Sequence, residues 1–216
     1  MILVVLGLLG ACGWRAATHW HPATDRYAVQ GVDVSEANGA IEWKVVAGAG
    51  ADFAYATATH GAGHRDQRFE ENWQNIAAAG LRRGAVHIWS LCQSAADQAN
   101  AFNTMVPRDP AALPAAIDFD YAEGCDTRPP PATLIEDVRR AAATIEAHTG
   151  KPVLLRVSRS FERDYELTAA LPRPVWASGT FFVPGYAARA WRMWRASDIR
   201  RIDGIDGPVN WDVAAE

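Results

Sequence analysis

The sequence predicts an α/β domain in which a parallel sheet closes into a barrel, and three observations carry that expectation. Strand-like and helix-like stretches follow one another in strict order from Val29 onward, a pattern that implies parallel strands joined by right-handed crossovers. The strands are too many for one small open sheet. No glycine-rich phosphate loop follows the first of them, which sets a dinucleotide-binding sheet aside. Bulk composition agrees with a folded chain: 216 residues, 49% hydrophobic and with nine tryptophans, suffice for one domain with a sizeable core. A net charge of -4 gives no electrostatic basis for nucleic-acid binding.

Each element has its own justification. VQGVDVS (29–35) opens the fold as a strand. Residues 40–49, with Trp43 and Val46, form a short helix, and ADFAYATAT (51–59) is the next strand. In 68–84, Phe69, Trp73, Ile76 and Ala77 share a helical face, and Gly84 ends the helix. GAVHIWS (84–90) is a strand, and 94–106 a helix with Ser94 as N-cap. AAIDFD (115–120) follows as a strand, then the clearest helix, 131–150. Its stripe is Leu134, Val138, Ala141 and Ile145, with Pro131 suited to its start and Gly150 to its end. Strands at 152–158 and 174–179, the run ARAWRMWRAS (188–197) and the tail IDGIDGPVNWDV complete the chain.

Residues 1–13, MILVVLGLLGACG, form an apolar run that is short for a spanning helix and right for a signal-peptide core. Leu9-Gly10-Ala11-Cys12 resembles a bacterial lipobox, and a membrane anchor is the rival reading. Either favours export. Residues 14–28 mix Trp, His, Pro and Arg without periodicity and read as a linker, leaving 29–216 as the functional domain. With Cys12 lipidated or removed, Cys92 and Cys125 remain, each just beyond a strand end. In an oxidising compartment they are expected to form a disulfide bracing that rim, with two free thiols as the alternative.

The stretch AAIDFDY (115–121) places Asp118 and Asp120 two apart in an apolar run, so both project to one side. Burying one unpaired carboxylate is costly, and two like charges on one face are worse. Either the strand ends here and the pair caps a loop, or it is a catalytic pair. Asp33, His87, Asp118 and Asp120 all fall at C-terminal strand ends, where barrels gather their chemistry, and that favours catalysis. Trp89 and Trp176, near strand ends, are candidates to stack on sugar rings or to fill the core. His60 and His64 flank HGAGH without carboxylate or cysteine partners at ligand spacing, so no metal or other cofactor is expected. No nucleophile elbow is present.

With these positions in line, the chain resembles glycoside hydrolase family 25, the Chalaropsis-type lysozymes, over nearly everything from Val29 to Val213. GVDVS (31–35) resembles the family's opening GIDVS, NGAIEW (38–43) its QGxIDW, and ATATHG (56–61) its IKATEG. DQRFEENWQNIAAAGLRRGAVHIW (66–89) resembles DxxFxxNWxxAxxAGLxxGAYHFF. AIDFD (116–120) stands where the family has its Asp-x-Glu strand. WRMWRAS (191–197) is similar to WTFWQYS, and GIDGPVNWDV (204–213) to GxDGxVDLN.

The resemblance implies a TIM-like, flattened (β/α)5(β)3 barrel, a single monomeric domain. It implies metal-free hydrolysis of the β-1,4 bond between N-acetylmuramic acid and N-acetylglucosamine in peptidoglycan, in the bacterial cell envelope or secreted. Carried to matching positions, Asp120 is the general acid, Asp118 the carboxylate stabilising the substrate-derived intermediate, and Asp33 the carboxylate ending the first strand. His60, His87, Trp89, Tyr121, Trp176, Arg195 and Asn210 are expected to line the substrate cleft.

The chain also departs from the family pattern. The acid position holds Asp120 in place of Glu, which withdraws the carboxyl by roughly 1.5 Å, one C–C bond. His60 replaces the ATEG glutamate, Thr57 its lysine, and Val86 the YHF tyrosine. Arg195-Ala196-Ser197 replaces QYS, and Asn210 the VDLN aspartate. Three readings follow: an active muramidase with adjusted geometry, a peptidoglycan-binding domain without turnover, or a hydrolase of a related amino-sugar polymer. The first is preferred.

Overall fold

The computed structural model describes residues 2–215. Its strands are β1 (Gln30–Val34), β2 (Phe53–His60), β3 (His64–Arg65), β4 (Arg82–Ile88), β5 (Ala116–Phe119), β6 (Leu154–Val157), β7 (Val175–Ser178), β8 (Trp191–Arg200) and β9 (Val209–Ala214). The hydrogen-bonded order is β1-β9-β8-β7-β6-β5-β4-β2-β3, and a parallel β1–β2 pairing closes the ring, with β3 left outside as a hairpin on β2. Helices α2 (Trp43–Gly48), α3 (Phe69–Ala78), α4 (Ala95–Met105), α5 (Pro131–Thr149) and the pair α6 (Arg159–Tyr165) and α7 (Leu167–Ala170) follow β1, the β2–β3 hairpin, β4, β5 and β6. That is the expected arrangement of five βα units and three further strands.

One feature of the sheet differs from the expected parallel order. β9 runs antiparallel to both β8 and β1. The connection 201–208 is too short for a crossover of a dozen or more residues, and Gly204 and Gly207 supply positive φ for a tight return instead.

The third helix also ends earlier than its sequence suggests. Gly80, not Gly84, terminates it: Gly80 takes φ 81, and the Leu81 N–H donates back to the Ile76 carbonyl at 3.1 Å. Gly84 lies inside β4 beneath the Tyr55 ring, where any Cβ would strike that ring. In α5 the sequence expectation holds: Pro131 opens the helix, and Gly150 closes it in the left-handed region at φ 74.

Alternating side chains divide the core into layers. Val32, Ala56, Ile117, Leu155 and their neighbours pack outward against the apolar stripes of α3, α4 and α5. Phe53, Tyr55, Val86, Ala116, Leu154 and Trp176 belong to a second cluster that fills the barrel. With the middle filled by apolar bulk, the polar side chains that project inward collect near the C-terminal strand ends. The opposite mouth holds a largely apolar cavity of about 150 Å³ lined by residues such as Phe53, Leu113 and Met193.

The N-terminal segment is more ordered than a linker. Helix α1 (Ile2–His19) continues through residues 14–19 of the stretch read as linker. The Arg201 N–H donates to the Thr18 carbonyl at 2.7 Å, and the Gln30 amide donates to the Pro22 and Tyr27 carbonyls. Trp20 and Tyr27 pack on Trp194, Ala196 and Val213 outside the barrel. Among the described residues, no helix is long and apolar enough to cross a membrane.

Candidate active site

Three cross-strand pairs build the polar layer: Asp118 opposite Arg156, Asp33 opposite Asn210, and Arg195 opposite Asp212. Arg156 Nη2 donates to Asp118 Oδ2 at 2.6 Å, while its Nη1 donates to Asp33 Oδ1 at 2.9 Å. β6 and β1 are not neighbours, so the second bond spans the barrel interior. Arg195 donates to Asp33 from Nε at 3.0 Å and from Nη2 at 2.8 Å, and Asn210 Nδ2 adds a bond to Oδ1 at 3.1 Å. Trp176 Nε1 donates to Asp212 Oδ1 at 2.9 Å.

These groups are withdrawn from water, which strengthens every charge interaction among them. The Arg156 and Asp33 side chains are buried, and Asp118 and Arg195 are each mostly covered. Burial alone would raise the Asp33 carboxyl, but the Arg195 and Arg156 guanidinium groups outweigh it and hold Asp33 well below the ordinary carboxylate range. Asp212 moves the other way, pushed well up by burial and then by the neighbouring Asp33 charge. Burial and the Asp33 charge thus both favour the neutral form of the Asp212 carboxyl, whose Oδ2 is buried without a hydrogen-bond partner among the described residues.

Asp120 stands apart from this cluster. It is the first residue beyond β5, is exposed, and its Oδ1 accepts the N–H of Tyr121 at 2.8 Å. Tyr121 is partly exposed beside it, donating its hydroxyl to Asp164 Oδ2 at 2.7 Å under the Arg128 guanidinium. Burial and that bond push the Tyr121 hydroxyl up to about 12. His60 ends β2, half-buried, and pairs across the hairpin with His64. The geometry thus brings Asp33, Asp118, Arg195 and Asn210 together and leaves Asp120 and Tyr121 at the rim.

Three expected cleft residues lie elsewhere. His87 is fully buried on the outer face of β4, between Thr59 Oγ1 at 2.7 Å and Gln98 Oε1 at 3.3 Å. Burial pushes its imidazole down to about 4, so it is a neutral part of the layer under α4. Trp89 packs on Phe119 in that same layer, and Trp176 is fully buried inside the barrel. No indole face of either remains for a sugar ring.

Sequence reasoning missed Arg156 and Asp212. Each is a lone charge in an apolar strand, in PVLLRVS and GPVNWDV, and a buried charge demands an opposite partner. That demand was the signal available. Cys92 and Cys125 form a disulfide with Cα atoms 5.9 Å apart, tying the loop after β4 to the loop after β5. Beside the rim, a groove of about 590 Å³ is lined by Arg159, Glu162, Arg163 and Tyr186.

The model of the family described as "Glycosyl hydrolases family 25" matches residues 32–205. The chain belongs to family 25. Among its relatives is the Escherichia coli protein YegX, 31% identical over 193 residues that cover 87% of this chain and 70% of YegX. Lysozyme M1 of Streptomyces globisporus is 29% identical over 205 residues, covering 86% of this chain and 67% of the lysozyme. A solved family 25 glycosyl hydrolase from Bacillus anthracis superposes with a TM-score of 0.84 at 28% identity, over 92% of this chain and 94% of that one. Family 25 proteins are glycosidases, and it is the C-terminal rim of this barrel that carries the carboxylates such chemistry needs.

Proposed function

We propose that this family 25 chain is a muramidase, cleaving the β-1,4 bond between N-acetylmuramic acid and N-acetylglucosamine in peptidoglycan glycan strands. The observation that carries it is the placement of Asp118 at the C-terminal end of β5, with Asp120 two residues on at the rim. Likeness to a lysozyme supports the choice of substrate.

The chemistry divides between these two carboxyl groups. Asp120 gives its proton to the glycosidic oxygen as the bond to the anomeric carbon breaks. The substrate's own 2-acetamido oxygen closes onto that carbon, and Asp118 stabilises the positive charge that develops. Water then opens the cyclic intermediate, returning a proton to Asp120. Neither step calls on a metal or other cofactor.

We infer that the protein is exported and acts as a monomer in the bacterial cell envelope or secreted, with attachment to the membrane through its N-terminal segment as one of its forms. Leu9 and Trp14, exposed on α1, suit that attachment. Purified peptidoglycan incubated with the protein should release fragments with N-acetylmuramic acid at the new reducing end, identified by mass spectrometry. Release of no fragments, or of N-acetylglucosamine ends only, would sink this reading.

One observation favours binding without turnover as the second reading. Asp33 is fully engaged by two arginines, and Asp120, the shorter acid, bonds its neighbour's N–H. A protein that sediments with peptidoglycan yet releases nothing from it would fit that alternative.

A further inference from the structure

Arg156 is held inside the barrel by contacts from three other strands. Its guanidinium lies over the Trp176 ring, 4.8 Å from the centroid, so its plane is set from one side by an indole that is itself fixed through Asp212. One terminal nitrogen points to β1 and Asp33, the other to β5 and Asp118. A guanidinium has a rigid, planar fork, so fixing two of its directions fixes the positions of both carboxylates. A single ammonium could not bridge them in this way.

The two carboxylates are left in different states. Both Asp33 oxygens are occupied, Oδ1 by Arg156, Arg195 and Asn210, and Oδ2 by Arg195. Asp118 has Oδ2 committed to Arg156, while Oδ1 has no partner among the described residues. Asp33 is the anchor of the arrangement and Asp118 its working end. An acetamido group in the cleft needs such a free oxygen to accept its N–H and turn its carbonyl toward the anomeric carbon.

We propose that Arg156 is a positioning residue for glycoside cleavage, anchored on Asp33 and holding Asp118 in the single orientation that presents Oδ1 to the substrate's acetamido group. The proposal rests on the muramidase reading and assigns Arg156 no contact with the sugar. Its effect passes through Asp118.

The test has a catalytic and a structural arm. On purified peptidoglycan, Arg156→Gln should lower kcat by about 10²-fold, the scale of a misplaced reacting group, with KM within about threefold of wild type. Arg156→Lys, which keeps charge but not the fork, should recover part of the loss. The double variant Arg156→Gln, Asp118→Asn should be no slower than the worse single variant, because both changes disable one device. Losses that multiply would overturn the proposal, as would a KM effect alone. In the structural arm, a crystal structure of Arg156→Gln, or of Arg156→Lys where the former does not fold, should show the Asp118 carboxylate rotated; an unmoved Asp118 overturns the proposal. Wild-type protein that releases no fragments would remove the muramidase reading, and the crystal structures would then decide the role of Arg156 by themselves.

Discussion

Arg195 holds Asp33 by two edges of its guanidinium, Nε to Oδ2 at 3.0 Å and Nη2 to Oδ1 at 2.8 Å, reaching from β8 across β9 to β1. Such a fork-on-carboxylate pair is directional as well as strong. It closes the barrel on the side where the antiparallel strand β9 is inserted, where no crossover helix covers the joint.

Removing that grip leaves a buried carboxylate with one arginine in place of two. Arg195→Leu is expected to destabilise the fold by about 3 kcal/mol, the cost of breaking a buried ion pair from one side. Urea denaturation at neutral pH measures it. A change under about 1 kcal/mol would mean that Arg156 alone satisfies Asp33.

The raised Asp212 carboxyl gives the protein a stability slope of defined sign. Unfolded, its carboxyl titrates near 3.9; folded, burial and Asp33 raise it well above that. Between those two values the folded protein keeps a proton that the unfolded chain has released. Its contribution is therefore full below about pH 4 and declines as pH rises toward the folded value, by up to about 1.4 kcal/mol per unit. Asp212→Asn mimics the neutral form and keeps an oxygen to accept from Trp176 Nε1. The variant should match wild type near pH 4 and exceed it at neutral pH in denaturation midpoints. Identical pH profiles would show that Asp212 holds no extra proton.

The disulfide fastens the loop that bears Asp120 and Tyr121. Its cysteines are 33 residues apart, and a loop of that length corresponds to about 3–4 kcal/mol of restricted unfolded-state freedom. Cys92→Ser with Cys125→Ser should lower the denaturation free energy by roughly that amount. Non-reduced peptide mapping of exported protein should recover the bridge; two alkylatable thiols would refute it.

What the sequence made legible follows from the reach of its local rules. Period-two alternation put Asp118 and Asp120 on one side of their strand, and strand-end position put Asp33 and Asp118 at one rim, so the gathering of Asp33 and Asp118 could be anticipated. Helix α5 was readable because its apolar stripe and its terminal Pro131 and Gly150 all agree. The helix before β4 was misjudged because two glycines, Gly80 and Gly84, could each end it. Only the tertiary contact with Tyr55 shows that Gly84 serves close packing. Arg156 and Asp212 were hidden for the same reason, since their partners are non-local: Asp33 lies 123 residues from Arg156. Trp89 and Trp176 misled because a tryptophan near a strand end looks alike whether it faces a cleft or a helix layer.

Asp120→Glu tests whether reach is what this site lacks. Asp120 now spends Oδ1 on the Tyr121 N–H at 2.8 Å, a bond to the next residue that a short side chain forms readily. A glutamate extends about 1.5 Å farther and forms that local bond less well, so its carboxyl can turn over the cleft beside Asp118. Because misplacement on this scale can cost about 10²-fold, release of fragments from peptidoglycan should rise by about 10- to 100-fold in the variant. Folding should be unaffected, since the side chain is exposed. An unchanged or lower rate would mean that Asp120 already meets the glycosidic oxygen and that reach does not limit this site.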